Sequence, residues 1–105
     1  MIRDNKHLEN IRQLPCLYMS NECEGNVEAC HIRYSTDGGM GLKPSDCYTI
    51  PMCQSCHRKQ HNMGEVSFHE QYKGVWHATE LAKSLYGKPL EEMKIKAWRF
   101  YNGGV

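Results

Sequence analysis

The sequence predicts a small α+β fold in one domain, a strand–loop–strand–helix unit followed by C-terminal helices. Three observations predict it. The 105 residues give length for a single core and none to spare. Two short alternating segments, EACHIRY and CYTIPM, flank a loop rich in Gly, Pro, Ser and Asp. Beyond Cys53 the chain is cut by glycines and one proline into pieces of helical length.

Taken in order, the lead-in NKHLENIRQL suits a short helical or extended segment. Residues 28–34 alternate as a strand should, and STDGGMGLKPSD follows as a long loop. CYTIPM is β-branched and aromatic and forms a second strand, expected to end at Pro51. HRKQHNM should be helical until Gly64. Further helices are expected over about 66–72, 75–86 and 90–101, with Gly87 and Lys88-Pro89 as punctuation. In the last of these, Leu90, Met93, Ala97 and Phe100 or Tyr101 fall on one stripe with Trp98 beside it, the pattern of core packing. The domain thus divides into a ββα core over about 28–63 and a helical part over about 66–101.

Six cysteines and six histidines are a heavy load for this length and suggest that metal contributes to stability. The N-terminus MIRDNKHLEN has no apolar h-region, and no apolar run approaches membrane-spanning length. The expected compartment is therefore the cytoplasm, where paired cysteines hold metal or do chemistry rather than form disulfides. Net charge is +1, yet residues 54–105 carry eight Lys/Arg against five Asp/Glu. A nucleic-acid partner would be held locally, for instance by Lys94, Lys96 and Arg99, unless these only solvate a helix face.

The stretch CQSCHRKQH, Cys53 to His61, reads three ways. Cys-x-x-Cys-His is the pattern of covalent haem attachment, which belongs to exported proteins and fits poorly here. Cys53 and Cys56 also form a zinc knuckle at a strand-to-helix turn, where a helix N-terminus favours thiolates. Cys16 and Cys23, with six residues between them, complete four thiolates for one tetrahedral zinc. Cys30 could be a further ligand and Cys47 is expected to pack; for both, burial is the simpler reading.

His57 and His61 stand at i and i+4, so their imidazoles share a helix face and could bind one divalent ion with open positions. Two exposed surface histidines are the alternative. His31 lies mid-strand before the loop, and Asp46 closes that loop. A base, a carboxylate to orient it and a metal are what phosphodiester hydrolysis requires.

The series ACHIRY…GMGLKPSD…TIPMCQSCHRKQH resembles the ββα-metal, or HNH, nucleases, and looks particularly like small phage- and prophage-encoded members related to recombination-enhancement nucleases. The resemblance spans Cys16 to Glu65. It implies a metal-dependent endonuclease acting on DNA, with His31 as general base and His57 and His61 on a catalytic magnesium or other divalent ion. It also implies structural zinc on the paired cysteines. The sequence departs from the family pattern twice: Asp46 stands where Asn is common, and Cys30 where a His, Asp or Glu ligand often precedes the base. Arg33 and Lys43 are candidate phosphate contacts, and a recombinase filament or similar DNA-processing protein is a candidate partner. A non-catalytic zinc module gripping DNA or a protein is the competing reading; it accounts for the cysteines but not for the order of His31, Asp46, His57 and His61.

Overall fold

The computed structural model describes residues 2–19, 23–34, 36–38 and 43–102. The first helix, α1 (Asn5–Arg12), starts where the Asp4 carboxylate accepts the His7 N–H at 3.1 Å. Its buried face, with Leu8 and Ile11, packs on both strands of an antiparallel hairpin, β1 (Val27–His31) and β2 (Thr49–Cys53).

Both strands differ from expectation at their ends. β1 stops at His31 rather than running to Tyr34: the Ile32 N–H still reaches the Tyr48 carbonyl, but the Tyr34 N–H donates to the Glu65 carboxylate instead of continuing the ladder. Pro51 lies inside β2, paired with Ala29, rather than ending it. Its carbonyl turns away from β1 and accepts the Leu17 N–H at 2.7 Å. The missing N–H therefore falls on the outer edge, where no ladder bond is lost. Within the loop, residues 35 and 39–42, including the GMG run, lie outside the described residues.

Four helices follow: α2 (Gln54–Met63), α3 (Glu65–Glu70), α4 (Val75–Leu85) and α5 (Leu90–Tyr101). Gly64, at φ +92°, both ends α2 and opens α3, a backbone conformation that other residues rarely adopt. α4 buries Val75, Ala78, Leu81, Ala82 and Leu85, while α5 buries Met93, Ala97 and Phe100. Trp98 does not join that stripe: it is 63% exposed, and Trp76 is 54% exposed. Among the described residues no helix is long and apolar enough to cross a membrane.

A chain of polar contacts runs through the interior. The Tyr18 hydroxyl donates to His69 Nδ1 (2.7 Å), His69 Nε2 donates to Gln60 Oε1 (2.8 Å), and the Gln60 amide donates to Cys30 Sγ (3.3 Å). The sequence offered no sign of it, since His69 looks like any helix histidine. Burial pushes the His69 pKa down to about 4, so the ring is neutral in the folded chain at neutral pH.

A histidine with a lowered folded pKa binds more protons unfolded than folded. Its effect on stability is constant above the ordinary value near 6.5, and stability is lost as pH falls from there toward 4. Urea midpoints at pH 7 and pH 5 should reveal this. We expect His69 to account for a loss of about 2 kcal/mol over that interval. His69→Gln should be less stable at pH 7 but lose less on acidification. Parallel losses in the two proteins would show that His69 does not carry the effect.

Candidate functional site

Cys53 is the last residue of β2 and the N-cap of α2, so its side chain sits at the junction the Cys-x-x-Cys spacing predicts. Sγ of Cys53 accepts the Cys56 N–H at 3.5 Å and lies 3.3 Å from the Ser55 hydroxyl. Burial raises the Cys53 pKa, but these hydrogen bonds outweigh it and bring the thiol down to about 6. Burial drives Cys56 and Cys16 the other way. The four sulfur atoms of Cys16, Cys23, Cys53 and Cys56 all lie within 4.8 Å of one another, with Cys23 and Cys56 3.8 Å apart. Four thiols around a metal at ~2.3 Å would stand about 3.8 Å apart. The donor set and the spacing fit a metal ion such as zinc. The same gathering draws Cys53 and Cys56 into a four-sulfur cluster, unlike the two-cysteine arrangement of haem attachment.

At the opposite end of the hairpin, His31 Nε2 lies 2.8 Å from Asp46 Oδ1. The other carboxylate oxygen accepts the Asp4 N–H at 2.7 Å, and Arg3 donates to Oδ1 at 3.3 Å. Asp46 is almost wholly buried. Burial opposes its charge, yet the bonds from His31 and Asp4, together with Arg3, hold the carboxyl below its usual range. Ionised Asp46 thus fixes the proton of His31 on Nε2 and leaves Nδ1 as the lone-pair nitrogen. Burial lowers the His31 pKa, the Asp46 bond partly offsets it, and the nearby Lys43 and Arg3 charges lower it again.

Arg3 is a site residue that sequence reasoning missed. Its guanidinium bonds the Pro44 carbonyl (2.6 Å), the Lys43 carbonyl (3.1 Å) and Asp46, tying the N-terminal segment to the loop forty or more positions away. Asp37 supports the same loop by accepting the Ser45 N–H and hydroxyl. Nothing local in the sequence signals either contact.

The third group lies on α2. His57 Nδ1 is 2.9 Å from Glu28 Oε1, which leaves His57 Nε2 outward, and the His57 and His61 rings stack with centroids 4.8 Å apart. Glu28 was also missed; only its place on the face of β1 shared with Cys30 hints at it. α2 runs alongside β1: His57 meets Glu28, Gln60 meets Cys30, and beyond the helix Glu65 meets Arg33 and Tyr34. Strand alternation sends Glu28 and Cys30 toward α2 and His31 toward Asp46. The dyad and the histidine pair therefore lie on opposite sides of β1.

Among the described residues only the four cysteines bring three or more donors close enough to share an ion. His57 and His61 offer two ligands, and further positions would fall to water or substrate. Cys30 is buried beneath Gln60, and burial pushes its pKa to about 12, so it stays a neutral thiol. Cys47 is half-buried. Arg33 and Lys43 are exposed, Lys43 near enough to His31 to lower its pKa and Arg33 with its backbone N–H held by Glu65.

A family model described as "Protein of unknown function (DUF968)" matches residues 1–85, a span that contains every residue of the three groups. No curated protein and no solved structure matches the chain.

Purified protein is expected to hold about one thiophilic metal ion per chain by elemental analysis, since four clustered thiols suit one tetrahedral ion. Cys53→Ser should lose that ion and unfold at a lower temperature. A metal-free parent as heat-stable as the variant would show that the thiols are only packed.

Proposed function

The chain belongs to the DUF968 family of proteins of unknown function, and we propose that it is a metal-dependent endonuclease that hydrolyses DNA phosphodiester bonds. One observation carries the reading: a histidine held by a buried ionised carboxylate ends β1, and the helix that follows the hairpin carries a pair of stacked histidines. Residues of these types at this place supply a base, its orienter and two metal ligands. The resemblance of HIRY–GMG–KPSD–IPMC–H–H to the HNH nucleases, and to their phage- and prophage-encoded members, points the same way.

In this reading Asp46 holds His31 through Nε2, and His31 Nδ1 takes the proton from a water that attacks phosphorus. Lys43 and Arg33 draw the phosphate toward the open end of β1. Glu28 orients His57 so that Nε2 of His57, with His61, would hold magnesium or another divalent ion. That ion, when bound, supplies positive charge to the phosphoryl oxygens and leaving group. Zinc on the four cysteines has a structural part, fixing the junction between β2 and α2. The competing reading, a zinc module that grips DNA without cutting it, draws on the same cysteine cluster. Nicking of supercoiled plasmid with and without added divalent metal separates the two.

His31→Ala is expected to keep its tightly held metal and its affinity for DNA but to cut about 10²–10⁴-fold more slowly, the usual effect of removing a general base. The parent rate should rise with pH as His31 loses its proton. Because burial and the neighbouring cations lower that pKa, the rise should lie below pH 6.5, with a plateau at neutral pH. The rising limb should vanish in His31→Ala. A variant that cuts at the parental rate and pH profile would end this mechanism.

Glu28→Gln tests the orienting carboxylate separately. We expect ~10–100-fold weaker binding of the catalytic divalent ion, with the thiol-bound metal retained. Titration with manganese, followed by its paramagnetic effect on water relaxation, measures this without reference to cleavage. Unchanged manganese affinity would assign the Glu28–His57 contact to the fold alone.

A further inference from the structure

Asp46 belongs to neither strand, so its place beside His31 depends on what the loop leans against. On the strand side, the buried Thr49 hydroxyl donates to the Asp46 carbonyl at 2.9 Å. On the other side lies the N-terminal segment. The Asp46 N–H donates to the Ile2 carbonyl at 2.8 Å, and the Ile2 N–H donates to the Ser45 hydroxyl at 2.9 Å. Two residues on, the Asp4 N–H reaches the carboxylate itself at Oδ2. Residues 2–4 thus run alongside Ser45 and Asp46 as a short backbone seam.

Arg3 is the side chain of that seam that binds both the carboxylate and the loop carrying it. Nη1 bonds the Pro44 carbonyl and Asp46 Oδ1, and Nη2 bonds the Lys43 carbonyl. Asp46 Oδ1 is also the oxygen that His31 Nε2 meets. A planar guanidinium fixes two carbonyls and a carboxylate in one arrangement, which a single ammonium does not. An ion pair with a half-exposed arginine adds little stability, so what this fork contributes is geometry. The other charged and titratable groups nearby are engaged differently. Lys43 acts on His31 through its charge, and Asp37 is turned to Ser45. The Asp4 carboxylate accepts the His7 N–H and the Tyr86 hydroxyl. Burial keeps His7, Cys47 and Tyr86 toward their neutral forms.

We propose that Arg3 is a positioning residue for His31: by holding Asp46 Oδ1 together with the Lys43 and Pro44 carbonyls, it keeps the carboxylate on Nε2 and leaves the lone pair at Nδ1. The N-terminal segment is then a third wall of the hairpin site, beside β1 and the loop. That His31 acts as a base rests on the nuclease reading; that Arg3 holds its ring through Asp46 does not.

Nitrogen NMR of the full chain, labelled in its histidine rings, reads the tautomer and titration of His31 without reference to cleavage. The parent should show one neutral tautomer at pH 8, protonated on Nε2. Arg3→Gln removes both the cation and the fork. A neighbouring positive charge disfavours imidazolium, so the His31 midpoint should move to higher pH, and the neutral ring should become a mixture of tautomers. Arg3→Lys keeps the charge without the fork. Its midpoint should stay near the parental one, while its tautomers mix as in Arg3→Gln. Both variants should cut DNA about 10–100-fold more slowly at pH 8, where the ring is neutral in all three proteins. Metal on the four thiols, at the far end of the hairpin, should be retained and reports an intact fold. A single Nε2–H tautomer in both variants, or its full recovery in Arg3→Lys, would overturn the positioning role even in an active nuclease. Loss of the thiol-bound metal and of the fold in both would make Arg3 a purely structural residue and overturn it too. Tautomer mixing in variants of a parent that cuts no DNA would keep Arg3 in its role and end the nuclease reading instead.

Discussion

Two strands of five residues do not hold a hairpin together in water, and most of this structure can be understood as the means of holding one. At one end, four sulfur atoms gather around the junction of β2 and α2. At the other, a buried carboxylate binds β1, the loop and the N-terminal segment at once. Between them the flanking helices cover the apolar side chains of both strands. Each end clamps segments that are distant in sequence, the kind of contact that repays most of the entropy lost in closing long loops.

The clamp at Asp46 has a chemical consequence beyond stability. A buried carboxylate is tolerable only when hydrogen-bonded and paired. Arg3 and the Asp4 amide meet that need together with His31. Because two of the three partners are not the histidine, Asp46 stays ionised without requiring His31 to be charged. Burial and the adjacent cations then tip His31 to its neutral form. His69 reaches the same state by burial alone, but both of its nitrogens are engaged, by Tyr18 and Gln60. Neutrality is common to both rings; a free lone pair belongs to His31.

Much of this was legible in the sequence because it is local. Gly64 and Pro89 mark helix boundaries through backbone geometry, and the i, i+4 spacing of His57 and His61 puts their rings in contact once the helix forms. The paired cysteines were readable as a set, since two short loops with thiols have few other reasons to recur in one small chain. What was hidden depends on distant partners. The end of β1 is decided by Glu65, thirty-odd residues away, and the tolerance of Pro51 by the direction its carbonyl faces. Arg3, Glu28 and Asp37 are ordinary charged residues until the fold brings their partners to them. Trp98 misled because helical periodicity locates a stripe without fixing its width.

The two ends of the hairpin are connected through α2. Cys53 is at once a member of the sulfur cluster and the cap from which the helix starts. Each residue along a helix turns by about 100°, so the position at which α2 begins determines which side chains face β1. Starting at Cys53 places His57 on Glu28 and Gln60 on Cys30; a start one residue later would carry both away. The cluster therefore fixes the rotational phase of the helix as well as its presence. The histidine pair, one turn further on, depends on sulfur atoms it never touches, which explains why a chain this short keeps both groups on a single strand–helix junction.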